Sequence, residues 1–437
     1  MARVKCIGIR ETLTSLLPKA ELERMARESG AMRRRRKVDP SAMFWCVVLG
    51  FGAGAERSLA GLRRCYERST GKSLVPSSFY DRFTPELARM FRAVLAQLMN
   101  KLASSDVHYS GVLESFRDVL AADATVVKLH RLLARRFPGT RTNSSPAAAK
   151  LHLVMSVRGS GAHKVKVTGE RAKDHRALQM GPWVEGRLLL FDLGYFRYQL
   201  FDCVDRNGGY FITRLNANAN PRIVAVHRQW RGRAIDIEGK RLKEVASRLH
   251  REVLDVEVEV AFQRRVYAGT RRTVRHRVRL VAVRLPESTE YRFYLTNIDP
   301  DSLDAPSIAQ TYAARWQIEL IFKELKSHYR LDELPTRKAH IVETLLLGAV
   351  ITLLVSRRLL QAVRERLRRT PYKMPEQRWA AVFAAAATAI LDIVVLPPRV
   401  SKVLARRLES MLLHEAPDPN RSRRLLIERV ESGAAWT

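Results

Sequence analysis

The apolar pattern changes period after Ser110, and this limits the fold more than any other feature. Up to that point the chain reads as helices. Residues 20–29 are charged and helix-forming, stop at Gly30 and run into the basic block 33–37. Pro40 opens an apolar helix through Leu49. Ser58 is placed to cap the next helix, and a polar turn leads to a further short one from Pro76. After Ser110, residues 119–127, 149–157, 163–167, 186–192 and 210–214 read as strands, with a short helix near 196–203. Residues 252–261 and 274–282 alternate with the two-residue period of strands that have one wet face. A core strand at 291–297 and three more helical stretches complete the chain. The expected fold class is α/β, a mixed sheet flanked by helices. The expected divisions are a helical, basic, DNA-binding region (1–110), a core in two parts (111–215 and 291–335), a β-rich insertion between them (216–290) and a helical C-terminal region (336–437).

Charge narrows the class of partner. Lys and Arg total 77 of 437 residues against 44 Asp and Glu, a formal excess of +33. Arginine is spread along the chain, so the whole surface favours a polyanion, with nucleic acid first. Cys6, Cys46, Cys65 and Cys203 include no close pair, which argues against a zinc ribbon and fits a reducing compartment. The apolar run 344–355 is shorter than a membrane span and flanked by charge, so it reads as a buried helix. A soluble, cytoplasmic, nucleoid-associated protein with no membrane partner is expected.

Three acids stand out by position. Asp123 interrupts an apolar strand, Asp192 ends another just before Gly194, and Glu319 lies in a helix-like stretch, 311–326. In that stretch Tyr312, Arg315, Glu319 and Lys326 follow at intervals of three, four and seven. At about 100° per residue they share one face. Two strand aspartates and a helix glutamate converging at a sheet edge are hard oxygen ligands suited to two Mg²⁺ or Mn²⁺ ions. Such a pair stabilises the attacking and leaving oxygens of phosphoryl displacement. Simpler readings stand beside these. Asp123 caps a turn or pairs with a buried arginine, Asp192 is a plain turn residue, and Glu319 pairs with Arg315 and Lys323 along the helix. Asp174, Asp202 and Asp205 are competing acids.

The spacing Tyr312-(2)-Arg315-(3)-Glu319-(6)-Lys326 resembles the Tyr-Arg-Glu-Lys signature of bacterial insertion-sequence transposases of the DDE class, the insertion-sequence-four group. Asp123-Ala-Thr is similar to that family's first acid block, and Asp192-Leu-Gly-Tyr-Phe followed by residues 210–215 to its second. The resemblance covers roughly residues 115–335. It implies an RNase H-like core interrupted by a β-rich insertion. Asp123, Asp192 and Glu319 would be catalytic and hold two Mg²⁺ (or Mn²⁺) ions. Water would cleave the element's end, and the freed 3′-OH would then attack target DNA. Tyr312, Arg315 and Lys326 would contact phosphates, with Lys323 beside them. Trp230, in the insertion, would hold a flipped base, whereas Trp316 is expected to pack. A homodimer on double-stranded DNA is implied as well. A nuclease of the same fold without strand transfer, a catalytically silent DNA-binding derivative and a passive RNA-binding protein are the other readings.

Overall fold

The computed structural model describes residues 7–34, 38–103, 108–140, 145–158, 161–227, 236–264, 273–285, 290–368, 370, 372–420, 428 and 431. Among the described residues six α-helices precede the first strand: α1 (Ile9–Leu16), α2 (Lys19–Glu28), α3 (Pro40–Trp45), α4 (Leu59–Thr70), α5 (Pro76–Tyr80) and α6 (Pro85–Ala103). Their starts follow from the residues. Asp39 accepts the Ala42 amide at 3.0 Å ahead of Pro40, and Ser58 accepts the Gly61 amide at 2.9 Å, each satisfying a first-turn donor. Gly71 ends α4 in the left-handed region that glycine tolerates (φ 69°).

Among the described residues nine strands form one sheet. They are β1 (Asp118–Lys128), β2 (Ala148–Ser156), β3 (Ala162–Gly169), β4 (Arg187–Phe191), β5 (Tyr210–Arg214), β6 (Arg222–Val226), β7 (Val253–Gln263), β8 (Thr273–Arg284) and β9 (Tyr291–Thr296). Short helices α7 (Asp174–Ala177), α8 (Tyr198–Arg206) and α9 (Leu242–Ala246) lie in the connections. The sheet order is β3-β2-β1-β4-β5-β9-β8-β7-β6. Its centre is parallel, β1 beside β4 and β4 beside β5, and every other pairing is antiparallel. The strands of the 216–290 segment are therefore not a sheet of their own. β8 bonds to β9, and β9 to β5, so the segment extends the core sheet.

Alternation along the strands gives the sheet two apolar faces. Leu120, Ala122, Leu189 and Phe191 face Phe201 and Val204 of α8. On the other face, Ala121, Leu151 and Leu153 meet α11 (Trp316–Ser327), and Leu188, Leu190 and Ile212 meet α10 (Ala305–Ala313). Behind α11 lie α12 (Ala339–Arg366), α13 (Glu376–Val395) and α14 (Pro398–Glu415).

The helices before and after the sheet share one core: Leu13, Phe44 and Val48 lie in the same apolar cluster as Leu346, Val350, Trp379 and Ile390. Thr352 Oγ1 donates to the Val48 carbonyl at 2.6 Å where α12 crosses the π-helical turn Cys46–Gly52. A Cβ on Gly52 would lie 2.0 Å from that hydroxyl, so the crossing requires glycine. By length and composition α12 and α13 could each cross a membrane, but 83% of the apolar window of α12 is buried inside the protein.

Candidate active site

Strand register brings the two aspartates together. In the parallel β1/β4 pair, Ala121 stands beside Leu190 and Ala122 beside Phe191. One further step puts Asp123 next to Asp192, on neighbouring strands about 4.8 Å apart. Both fall on the face of Ala121 and Leu190, toward α10 and α11. Asp123 Oδ1 accepts the Ala124 amide at 2.7 Å. Asp192 is extended and begins the 3₁₀ turn Leu193–Tyr195, as its turn reading required.

Glu319 reaches the same place on α11, whose buried Ile318, Ile321, Phe322 and Leu325 press on the sheet. The 311–326 stretch is not one helix, however. α10 ends at Ala313 and α11 starts at Trp316. Across the joint the amides of Ala314, Arg315, Gln317 and Ile318 bond to carbonyls three residues back, at 3.0–3.1 Å. Arg315 still lies over the Tyr312 ring, 5.8 Å from its centroid, and reaches Glu319, so these three signature residues stay in contact across the joint. Tyr312 is buried, and its hydroxyl donates to the Phe191 carbonyl, one residue before Asp192, at 3.1 Å. Arg315 turns to the acids: Nη1 lies 3.6 Å from Asp123 Oδ2, and Nη2 is hydrogen-bonded to Glu319 Oε1. The simpler readings of Asp123 and Glu319 thus meet in one guanidinium. Lys326 is half-buried and Lys323 exposed, one to two turns further on.

Burial pushes Asp123 up to about 6; the charges of Asp192 and Glu319 add to this, while the Ala124 amide and Arg315 oppose it. Burial also pushes Tyr312 up to about 12, so it is a neutral donor at any physiological pH. Among the described residues, no group of three His, Cys, Asp or Glu side chains stands ready to hold a metal. The donor set nonetheless fits a hard divalent ion. A cation, the Arg315 guanidinium, already sits between two of the three carboxylates, with its Nε buried and lacking a hydrogen-bond partner. The competing acids have other partners: Asp202 pairs with Arg264 and Arg206, Asp205 accepts from Asn297, and Asp174 pairs with Lys150.

A cavity of about 650 Å³ opens beside Arg315, lined by Arg214, Arg284, Arg292, Tyr294, Tyr312 and Trp316 among others. Trp316 does not pack as expected; its side chain is 53% exposed. The signal was present: Trp316 lies off the stripe of Ile318, Ile321, Phe322 and Leu325 that α11 buries. Arg214, at the end of β5, carried no such signal, because only the pairing of β5 with β9 brings it to this cavity. Trp230 lies outside the described residues, as do residues 35–37 of the basic block.

A mixed sheet with one acid midway along β1, a second just past the end of the parallel β4 and a third on a covering helix defines an α/β enzyme with a carboxylate centre. The chain belongs to the family described as "Transposase DDE domain", which matches residues 114–355. It is similar to the transposase for insertion sequence element IS231B of Bacillus thuringiensis subsp. berliner, at 23% identity over 79% of this chain and 78% of that one. The transposase for IS231F of Bacillus thuringiensis subsp. israelensis is 24% identical over 76% and 75%. That for IS1151 of Clostridium perfringens is 21% identical over 77% of each. The function is that of an insertion-sequence transposase, an enzyme that cleaves DNA and transfers strands in dependence on a divalent metal.

Proposed function

We propose that Asp123, Asp192 and Glu319 are the catalytic acids of an RNase H-like core and hold two Mg²⁺ or Mn²⁺ ions. The observation that carries this reading is the meeting of Asp123, Glu319 and the Arg315 guanidinium beside Asp192, where the parallel pairing of β1 with β4 ends. Such ions, when bound, would supply charge neutralisation at the attacking and leaving oxygens of an in-line displacement.

The rest is work for the chain's own side chains. Tyr312 pins α10 to the carbonyl before Asp192 and so fixes the spacing of helix and strand. Arg315 keeps the acids neutralised in the free protein, and a DNA phosphate competes for its two donors. Lys323 and Lys326 continue the positive track along α11 as point charges for the same strand. The cavity beside Arg315 receives that strand, with Arg214 and Arg292 for phosphates and the exposed Trp316 as an aromatic face. Trp230 keeps its place as a stacking partner from the insertion.

The N-terminal region supplies contact with the element's ends through α4 and α5, where Arg64, Arg68 and Lys72 are exposed. The partner is double-stranded DNA, bound as a homodimer at paired ends in the nucleoid. On this reading the Tyr-Arg-Glu-Lys spacing is the signature of the insertion-sequence-four group. The working divisions remain 1–110, 111–215, 216–290, 291–335 and 336–437.

The test is end cleavage and strand transfer in Mg²⁺ by Asp123→Asn, Asp192→Asn and Glu319→Gln, on DNA bearing the inverted repeats that flank the gene. Each variant should lose cleavage by at least about a thousandfold while still binding end DNA, since the electrostatic stabilisation lost is of that order. Full activity in any one of them removes that residue from the site.

A further inference from the structure

We propose that Asp174, held by Lys150 beside the buried His152, is a positioning residue that braces the Asp192–Gly194 turn from the far side of the sheet and so sets the geometry of the Asp192 carboxylate for metal. This rests on the reading of Asp192 as a metal-binding acid and adds a second layer to it.

Four observations converge on this turn. First, Asp174 packs on the glycine of the turn: a Cβ on Gly194 would stand 2.8 Å from Oδ2, so any larger residue there displaces the carboxylate. Second, Lys150 Nζ donates to Asp174 Oδ1 and to the Ala172 carbonyl, both at 3.0 Å, which ties the carboxylate and its own loop to β2. Third, His152 is fully buried, with Nδ1 at 3.7 Å from Asp174 Oδ1 and Nε2 at 2.9 Å from Thr168 Oγ1. Fourth, the buried Tyr195 hydroxyl and His152 Nδ1 are both without a hydrogen-bond partner among the described residues.

Register fixes the side from which the brace acts. His152 pairs with Ala124 and Lys150 with Val126, so both point away from the face that carries Asp123. Asp192 is therefore approached by Arg315 and α11 on one face and backed by this cluster on the other. Burial holds the His152 imidazole down to about 4, so it is neutral with a single N–H. Thr168 Oγ1 donates its hydrogen to the Gly169 carbonyl at 3.1 Å, so Nε2 carries the N–H and donates to Thr168, and Nδ1 faces Asp174 without a hydrogen. Groups that orient a metal-binding side chain in this way typically carry about 10- to 100-fold of metal affinity.

The experiment compares Asp174→Asn, Gly194→Ala and Asp192→Asn with the unaltered full chain. Binding of MnCl₂ to the protein alone is followed by calorimetry, and the Mg²⁺ concentration for half-maximal end cleavage is measured in parallel. Asp174→Asn should weaken Mn²⁺ binding about tenfold and raise the half-maximal Mg²⁺ by a similar factor, with cleavage recovering at saturating Mg²⁺. A purely structural role would lower cleavage at every metal concentration and leave both midpoints in place; that result overturns the proposal. If Asp174→Asn fails to fold, Gly194→Ala tests the same contact from the other side and should show the same shift; unchanged midpoints there overturn it too. Asp192→Asn separates the two layers. If it binds Mn²⁺ like the unaltered chain, the metal assignment itself falls. If it loses Mn²⁺ while Asp174→Asn does not, only the brace falls.

Discussion

Asp123 is costly to the fold that carries it. Its carboxyl is raised from 3.8 to about 6, so below that range both folded and unfolded chains hold the proton and above it neither does. Between the two values only the folded chain keeps it, and stability falls as pH rises through this window. In metal-free buffer at pH 7.5, Asp123→Asn should therefore be more stable than the unaltered protein, by at most about 3 kcal/mol, while cleaving nothing. Below about pH 3 the two unfolding midpoints should coincide, because both states of the native chain are then protonated. Chemical denaturation at the two pH values decides this. Equal stability at pH 7.5 would mean that Arg315 offsets the whole cost of burial.

At the scale of elements, α11 carries one buried ion pair beside its apolar stripe. Glu324, on the side of α11 away from solvent, is fully buried, and the Arg357 side chain of α12 that pairs with it is 8% exposed. Arg357→Met leaves a buried carboxylate alone and should cost about 3–5 kcal/mol in urea unfolding. Adding Glu324→Leu should restore most of that loss; a double variant as weak as the single one would show that packing, not charge, had been broken. The strands of this region and the helical character of 311–326 were legible from period alone. The joint at Ala314–Arg315 was not. No glycine or proline marks it, and the tightened turn serves contacts distant in sequence, Tyr312 to Phe191 and Arg315 to Asp123. The acids could be read as three separate positions, but the guanidinium linking two of them could not. Lys150, His152 and Asp174 gave no local signal for a role together, because their meeting depends on strand register.

For the whole molecule, the excess of +33 is the main source of attraction to DNA. Affinity for non-specific duplex should fall steeply with salt, and Lys326→Ala should reduce the log–log slope by about 1 if that ammonium neutralises one phosphate. An unchanged slope places Lys326 away from DNA.

The continuous sheet has a consequence for the order in which the site is made. Thr213 of β5 pairs with Leu295 of β9, across all of the 216–290 segment, so the two halves of the sheet close only after a long, entropically costly loop. Asp123 and Asp192 belong to strands that pair directly, and they can come together while the ribosome is still translating the rest. Glu319, and the Arg357 that pairs with Glu324 on the same helix, are supplied later. On the proposed assignment the third acid is thus a late acquisition, and a chain cut short before α11 would present the cell's DNA with a basic surface and no complete centre to cut it.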